Sequence, residues 1–233
     1  MKLFCFTYAG GNASFYDQVE KEAKKDFDVV KIEYAGHGKR HKEPFYQNFS
    51  ELADDLYILL KSALNGQEAY ALFGYSMGSI SAVEVLRRII ISGEIQLPVH
   101  IFLAAHEPYT KVEPENYSGK KLDEYVKMRT IQFGAVPDKL IDNESFWRVY
   151  LPIYRSDYSM IGKYRFENLN LNTEIPATVF YSETDTPYND MRQWKDYFAG
   201  NCEFFEYSGN HFFINAHCRE IIDIVRKRLE NYL

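Results

Sequence analysis

Cysteine is scarce in this chain: 233 residues contain only Cys5, Cys202 and Cys218, an odd number with no paired spacing. That excludes a disulfide framework and a cysteine zinc site as organising features, and Cys5, inside an apolar run, reads as a buried thiol. A reducing, cytoplasmic setting is the expectation. Basic charge is also short, with 27 Lys and Arg against 33 Asp and Glu and a net charge of -6. No surplus is left to neutralise phosphates, so a general nucleic-acid or anionic-membrane partner is excluded. Long hydrophobic runs are absent as well: no signal-peptide core follows Met1-Lys2, and no later stretch has the length of a bilayer span. Repeats, low-complexity tracts and interdomain linkers are missing, and the length fits one domain over 1–233, expected to be monomeric.

Apolar and aromatic residues are abundant, 46% and 16%, with 19 Tyr and 17 Phe to build a core and pocket walls. The pattern is organised around Tyr70 to Ser81. A short apolar run, Ala71 to Phe73, enters Gly74-Tyr75-Ser76-Met77-Gly78, and a helical pattern follows with Ile80, Val83 and Leu86. Strand, sharp turn and helix in that order strain the serine and require small neighbours, which Gly74 and Gly78 supply. Ser76 is therefore the candidate nucleophile. The first helical N–H groups, beginning with Met77, face the oxygen it would attack.

The rest of the chain alternates short apolar strands with amphipathic helices, which predicts a mostly parallel sheet covered on both faces. Leu3 to Tyr8 leads into Ala9-Gly10-Gly11, where two glycines let the backbone pass close to a ligand, so the Ala9 amide is a candidate second oxyanion donor. Val29 to Glu33 is a second strand. The loop after it holds His37 and His41, but Gly36 and Gly38 disfavour the helix that a metal pair at this spacing would need, and no metal site is predicted. Ser50 to Leu64 reads as a helix capped by Ser50. From His106 to Asn172 the alternation lapses into a helical stretch, 106–172, expected as a lid or as a fixed helical subdomain. It carries Met128 and Phe133 as candidate walls of a substrate pocket.

Strands resume at Ala177 to Tyr181 and Cys202 to Tyr207. Asp185 follows the first and His211 the second, at the sheet edge where Ser76 sits. Ser, Asp, His in that chain order is that of the α/β-hydrolases. Asp190 is a rival acid within reach of the same loop, less favoured because it falls in an incipient helix. His100 and His106 flank a strand and read as structural, and His217 as a helix-surface residue. The expected chemistry has Ser76 attacking, His211 acting as base and then acid, and Asp185 orienting the imidazole.

Five motifs in order resemble the type II thioesterases of nonribosomal peptide and polyketide synthases: Leu3 to Gly11, Gly36-His37-Gly38-Lys39-Arg40, Gly74 to Gly78, Leu151 to Asp157, and Gly209-Asn210-His211-Phe212-Phe213. Thr7, Ala35, His37 and Asn210 depart from that family's usual residues. The resemblance implies an α/β-hydrolase fold with a helical lid. It also implies hydrolysis of acyl or aminoacyl thioesters on the phosphopantetheine arm of carrier-protein domains, with no cofactor of the enzyme's own. Lys39, Arg40 and Lys42 are candidate contacts for an acidic carrier. A carboxylesterase or lipase-like hydrolase, and a non-catalytic ligand receptor on the same fold, are the alternative readings.

Overall fold

The computed structural model describes residues 1–66, 68–109 and 119–233. Six strands form one sheet: β1 (Lys2–Phe6), β2 (Asp28–Lys31), β3 (Tyr70–Tyr75), β4 (His100–Ala104), β5 (Ala177–Tyr181) and β6 (Cys202–Glu206). Their order is β2-β1-β3-β4-β5-β6, and every neighbouring pair is parallel. Parallel strands need crossovers, and these are supplied by α1 (Asp17–Ala23), α2 (Phe49–Ala63), α3 (Met77–Ser92), α4 (Lys120–Gln132), α5 (Glu144–Lys163) and α6 (Tyr188–Met191). A last helix, α7 (Ile214–Leu229), packs against α1.

The period of two in β1 shows how the sheet is covered. Leu3 and Cys5 enter the core beneath α1 and α7, while Phe4 and Phe6 enter the core shared with α2 and α3. All five residues of β1 are buried, Leu3 to Phe6 as an unbroken apolar run and Lys2 with its ammonium on Glu68 at 2.7 Å. The chain reverses its progress across the sheet at β1, which has β2 on one side and β3 on the other. In open parallel sheets such a reversal leaves a crevice outside the carboxyl ends of the strands. Here it sets the loop after β1 beside the turn after β3.

Helix starts follow local capping chemistry. Helix α2 begins at Phe49, one residue before the expected cap Ser50, because Asn48 accepts from the Glu51 amide at 3.0 Å. The Glu51 carboxylate in turn accepts from Gln47 N–H at 2.8 Å, so two otherwise orphaned donors are satisfied reciprocally. Helix α3 ends at Ser92 on Gly93, whose φ of 60° allows the left-handed cap. Helices α4 and α5 lie within the expected 106–172 stretch and pack on each other. Residues 110–118 of that stretch lie outside the described residues. Among the described residues no helix is long and apolar enough to cross a membrane.

Candidate active site

Ser76 stands between β3 and α3 with φ 54° and ψ -121°, a strained conformation for a residue with a side chain. Its surroundings hold it there. The Ser76 amide donates to the Ala104 carbonyl at 2.8 Å, and the Ser76 carbonyl accepts from Ser79 N–H at 2.8 Å. A Cβ at Gly78 would overlap the Phe6 carbonyl oxygen, and one at Gly74 would overlap the Gly78 carbonyl. Both glycines are therefore obligatory for β1, β3 and α3 to approach this closely. Ser79, buried beneath the turn, donates to the Gly74 and Ala104 carbonyls at 3.1 and 3.0 Å.

Two further loops deliver the partners. His211 follows β6, and its carbonyl accepts from the Tyr75 hydroxyl at 2.7 Å, which ties the histidine loop to the strand that carries Ser76. The imidazole Nε2 lies 2.9 Å from Ser76 Oγ, and Nδ1 lies 2.8 Å from Asp185 Oδ2. Asp185 sits in a turn after β5 whose amide donates to the Ser182 carbonyl at 3.0 Å. Asp190 lies in α6, and it is Asp185 that faces Nδ1. With the side chains of His211 and Asp185 only 7% and 8% exposed, little water competes for these contacts. Such a chain of hydroxyl, imidazole and carboxylate can draw a proton from the serine and return it to a leaving group.

A cavity of about 110 Å³ opens onto these groups. Ala9 and Ser76 line it on the sheet side, and Phe133, Tyr158 and Ile161 on the side of α4 and α5. Phe133, immediately after α4, thus has the place expected of a pocket wall. Met128 does not: it is 46% exposed and absent from the lining. Helical periodicity explains the correction, since Val126 and Thr130 are the buried residues of α4 and Met128, two positions from each, points the other way.

His106 and Arg129 also reach the cavity, a placement that no local spacing in the sequence marks. Burial holds the His106 imidazole below its ordinary pKa, while Nδ1 faces the Glu107 carbonyl. His100 is in the sheet, 2.9 Å from Thr178 Oγ1, away from the cavity. The basic loop after β2 is less available than its composition suggested, because Arg40 is paired with Glu43 and Asp55 and donates to the Glu33 carbonyl. His37 is turned inward onto Asp157, 2.9 Å from Nε2 to Oδ2, and Asp157 also accepts from Gly10 N–H at 2.7 Å. No cluster of three or more metal-ligating side chains occurs among the described residues.

The thioesterase domain family model matches residues 1–229. The chain belongs to the thioesterase family. This thioesterase is 27% identical to the linear gramicidin dehydrogenase LgrE of Brevibacillus parabrevis, over 99% of its own length and 88% of that protein's. It is 26% identical to the medium-chain S-acyl fatty acid synthase thioesterase of Rattus norvegicus, over 91% and 81% of the two chains. Among solved structures it resembles the type II thioesterase BorB from the borrelidin biosynthetic cluster, with a TM-score of 0.81, 25% identity and coverage of 98% and 92%. The α/β-hydrolase architecture expected from the chain order of Ser76, Asp185 and His211 and from the family resemblance is thereby shared with proteins of known fold.

Proposed function

We propose that this thioesterase hydrolyses acyl or aminoacyl thioesters from the phosphopantetheine arm of carrier proteins, as a type II editing enzyme serving a nonribosomal peptide or polyketide synthase. The observation that carries the reading is the line of Ser76 Oγ, His211 and Asp185 at 2.9 and 2.8 Å, in a chain matched to a thioesterase family along nearly its whole length. His211 Nε2 takes the Ser76 proton as Oγ attacks the thioester carbonyl. Nδ1–H donates to Asp185, which fixes the tautomer and stabilises the imidazolium. The tetrahedral oxyanion is received by the N–H groups of Met77, at the start of α3, and of Ala9. His211 then protonates the departing thiol, and the acyl group remains on Ser76. Water activated by His211 attacks the ester and releases the acid.

Each of these steps proceeds with the chain's own groups; the pantetheine belongs to the carrier. We read α4 and α5 as a lid over the site, with Phe133 in the acyl wall. The name dehydrogenase borne by one relative is not carried over. The turn after β1, Ala9-Gly10-Gly11-Asn12, lacks the G-x-G-x-x-G spacing of a dinucleotide site.

The test compares three substrates with one acyl group: a carrier-bound thioester, the free pantetheine thioester and a matched oxyester. The carrier-bound form is expected to have the highest kcat/KM, and Ser76→Ala to abolish turnover and fluorophosphonate labelling. Equal kcat/KM for the two thioesters would remove the carrier from the reading. Preference for the oxyester would make the protein an esterase, and absence of labelling at Ser76 would move the nucleophile.

A further inference from the structure

We propose that Asp157 and His37 are positioning residues of the oxyanion site: the carboxylate, held by the imidazole, fixes Gly10 N–H and through it the orientation of the Ala9 amide. The inference rests on the reading of Ser76 as an acyl-transfer nucleophile. It begins from the loop after β1. Gly10 has φ of +77°, and a side chain there would overlap the ring of Tyr154 on α5. One turn further along α5, Asp157 Oδ2 accepts from Gly10 N–H at 2.7 Å. The helix thus grips one peptide by a ring and by a charged hydrogen bond. That peptide joins Ala9 to Gly10, so its plane fixes the carbonyl side of Ala9, which lines the cavity beside Ser76; the Ala9 N–H lies in the preceding peptide, whose Tyr8 carbonyl accepts from Gly11 N–H, and Asp157 holds the link between these two points of the turn.

Other bonds fix the strand end on which the loop stands. Tyr16 and Tyr34 hydroxyls donate to the Phe6 and Thr7 carbonyls at 2.7 and 3.0 Å, and Gly11 N–H turns back to the Tyr8 carbonyl at 3.0 Å. Asp157 supplies the hold on Gly10 N–H itself. Without it, a donor next to the Ala9 peptide would be buried and unpaired, free to rotate toward another acceptor.

The histidine answers a second requirement. A bare carboxylate one peptide away from a developing oxyanion would oppose the charge that the site must stabilise. His37 Nε2 is 2.9 Å from Asp157 Oδ2 and Nδ1 is 3.0 Å from the Ala35 carbonyl, so both ring nitrogens face acceptors and the doubly protonated ring satisfies both. Burial alone would lower the His37 pKa, but the charge and hydrogen bond of Asp157 and the Ala35 carbonyl, with Glu33 beyond, raise it. Each side chain is 2% exposed. Buried ion pairs of this kind are often no more stabilising than apolar residues of the same volume, so stability alone does not account for one placed here. Holding a backbone donor while cancelling its own charge does.

The experiment measures kcat, KM and inhibition by an octylthio-trifluoropropanone, a ketone that adds to the serine and places an oxyanion where the reaction would. Loss of one oxyanion donor costs about 10²- to 10³-fold in kcat, and a misdirected donor should approach the lower figure. Asp157→Ala is expected to lower kcat by about 10²-fold and to raise the ketone Ki by a similar factor, with KM within about threefold. Asp157→Asn keeps an acceptor for Gly10 N–H and should recover most of both, leaving a deficit of about three- to tenfold because a neutral acceptor bonds more weakly. His37→Gln should lower kcat and ketone affinity together as well. A folded Asp157→Ala that keeps kcat and Ki within about twofold of the parent overturns the proposal, as does a fall in kcat with unchanged ketone affinity. Should Asp157→Ala fail to fold, the same two readouts on Asp157→Asn and His37→Gln decide, and unchanged Ki in both overturns it. If the parent itself ignores the ketone, it is the assignment of Ser76 that fails.

Discussion

The Phe133 ring lies stacked on the imidazole of His211, with centroids 4.3 Å apart and planes 30° from parallel. The Arg129 guanidinium is 4.5 Å from the same ring. The proposed acyl wall and the proposed base are therefore one packed unit, and a change in one is felt by the other. Phe133→Ala is expected to shift kcat/KM across a series of straight-chain acyl pantetheines toward longer chains, by at least about 10- to 200-fold between neighbouring optima, the range for a single methylene in an apolar pocket. Because the ring also covers His211, kcat should fall even for the favoured chain. Met128→Ala should leave the profile within twofold, its side chain being on the exposed face of α4. A chain-length series on both variants checks this, and an unchanged profile for Phe133→Ala would remove the wall.

Asp185→Asn and Asp190→Asn separate the two candidate acids. Nδ1 of His211 faces Asp185 at 2.8 Å. An amide there can present N–H to the ring and favour the wrong tautomer, so Asp185→Asn should lower kcat by about 10⁴-fold. Asp190→Asn should stay within a few-fold of the parent. Steady-state kinetics on the two variants suffice, and the opposite ranking would transfer the role.

What could be read from the sequence follows from how far apart the deciding residues are. Ser76 declares itself within five residues, because strand, strained serine and helix N-terminus are contiguous. Asp185 and His211 were legible because each follows an apolar run at the same edge of the sheet. The boundaries of β5 match the apolar run Ala177 to Tyr181 because Pro176 and the polar Ser182-Glu183 punctuate it. Pairing of His37 with Asp157 spans 120 positions, and no local spacing encodes it. In sequence His37 looked like part of a polar basic loop, and only the close approach of α5 to the β1 turn buries it. Met128 and Phe133 looked equivalent as large lid residues; the phase of α4 separates them. His106 flanks an apolar strand in the sequence, and it reaches the cavity because β4 ends at that same edge.

Gly78→Ala tests whether close packing of β1 on α3 is needed for the site as well as for the fold. The added methyl would meet the Phe6 carbonyl, so the strand end and helix start must part. Overpacking of this kind costs about 1–3 kcal/mol, and it would separate Met77 from the Ala9 loop. Gly93→Ala is the control: it meets nothing within 4 Å, yet its φ of +60° makes any side chain strained. Both should lower the melting temperature, but only Gly78→Ala should lower kcat, by at least about tenfold if a donor moves by an ångström. Equal kcat in the two variants would show that the approach serves packing alone.

Acid sensitivity should centre on the sheet histidine. His100 is buried against Phe102, with ring centroids 4.4 Å apart, and burial, aided by Arg228, lowers its pKa to about 4. In the unfolded chain it titrates near 6.5, so the two states bind protons alike above that pH and His100 adds no slope there. Between about 6.5 and 4 the unfolded chain binds the proton that the native one resists, and stability falls with falling pH by up to about 3 kcal/mol over that interval. His106, also held below its ordinary pKa by burial, acts in the same direction. His37, whose pKa is raised, has the opposite sign: its contribution is complete below about 6.5 and is lost as pH rises through the higher native value. Urea melts at pH 7, 6, 5 and 4.5 should therefore show a steep acid loss in the parent that is shallower in His100→Gln, since glutamine can keep a hydrogen bond to Thr178 without acquiring charge. Parallel acid slopes for the parent and His100→Gln would assign the loss to other groups.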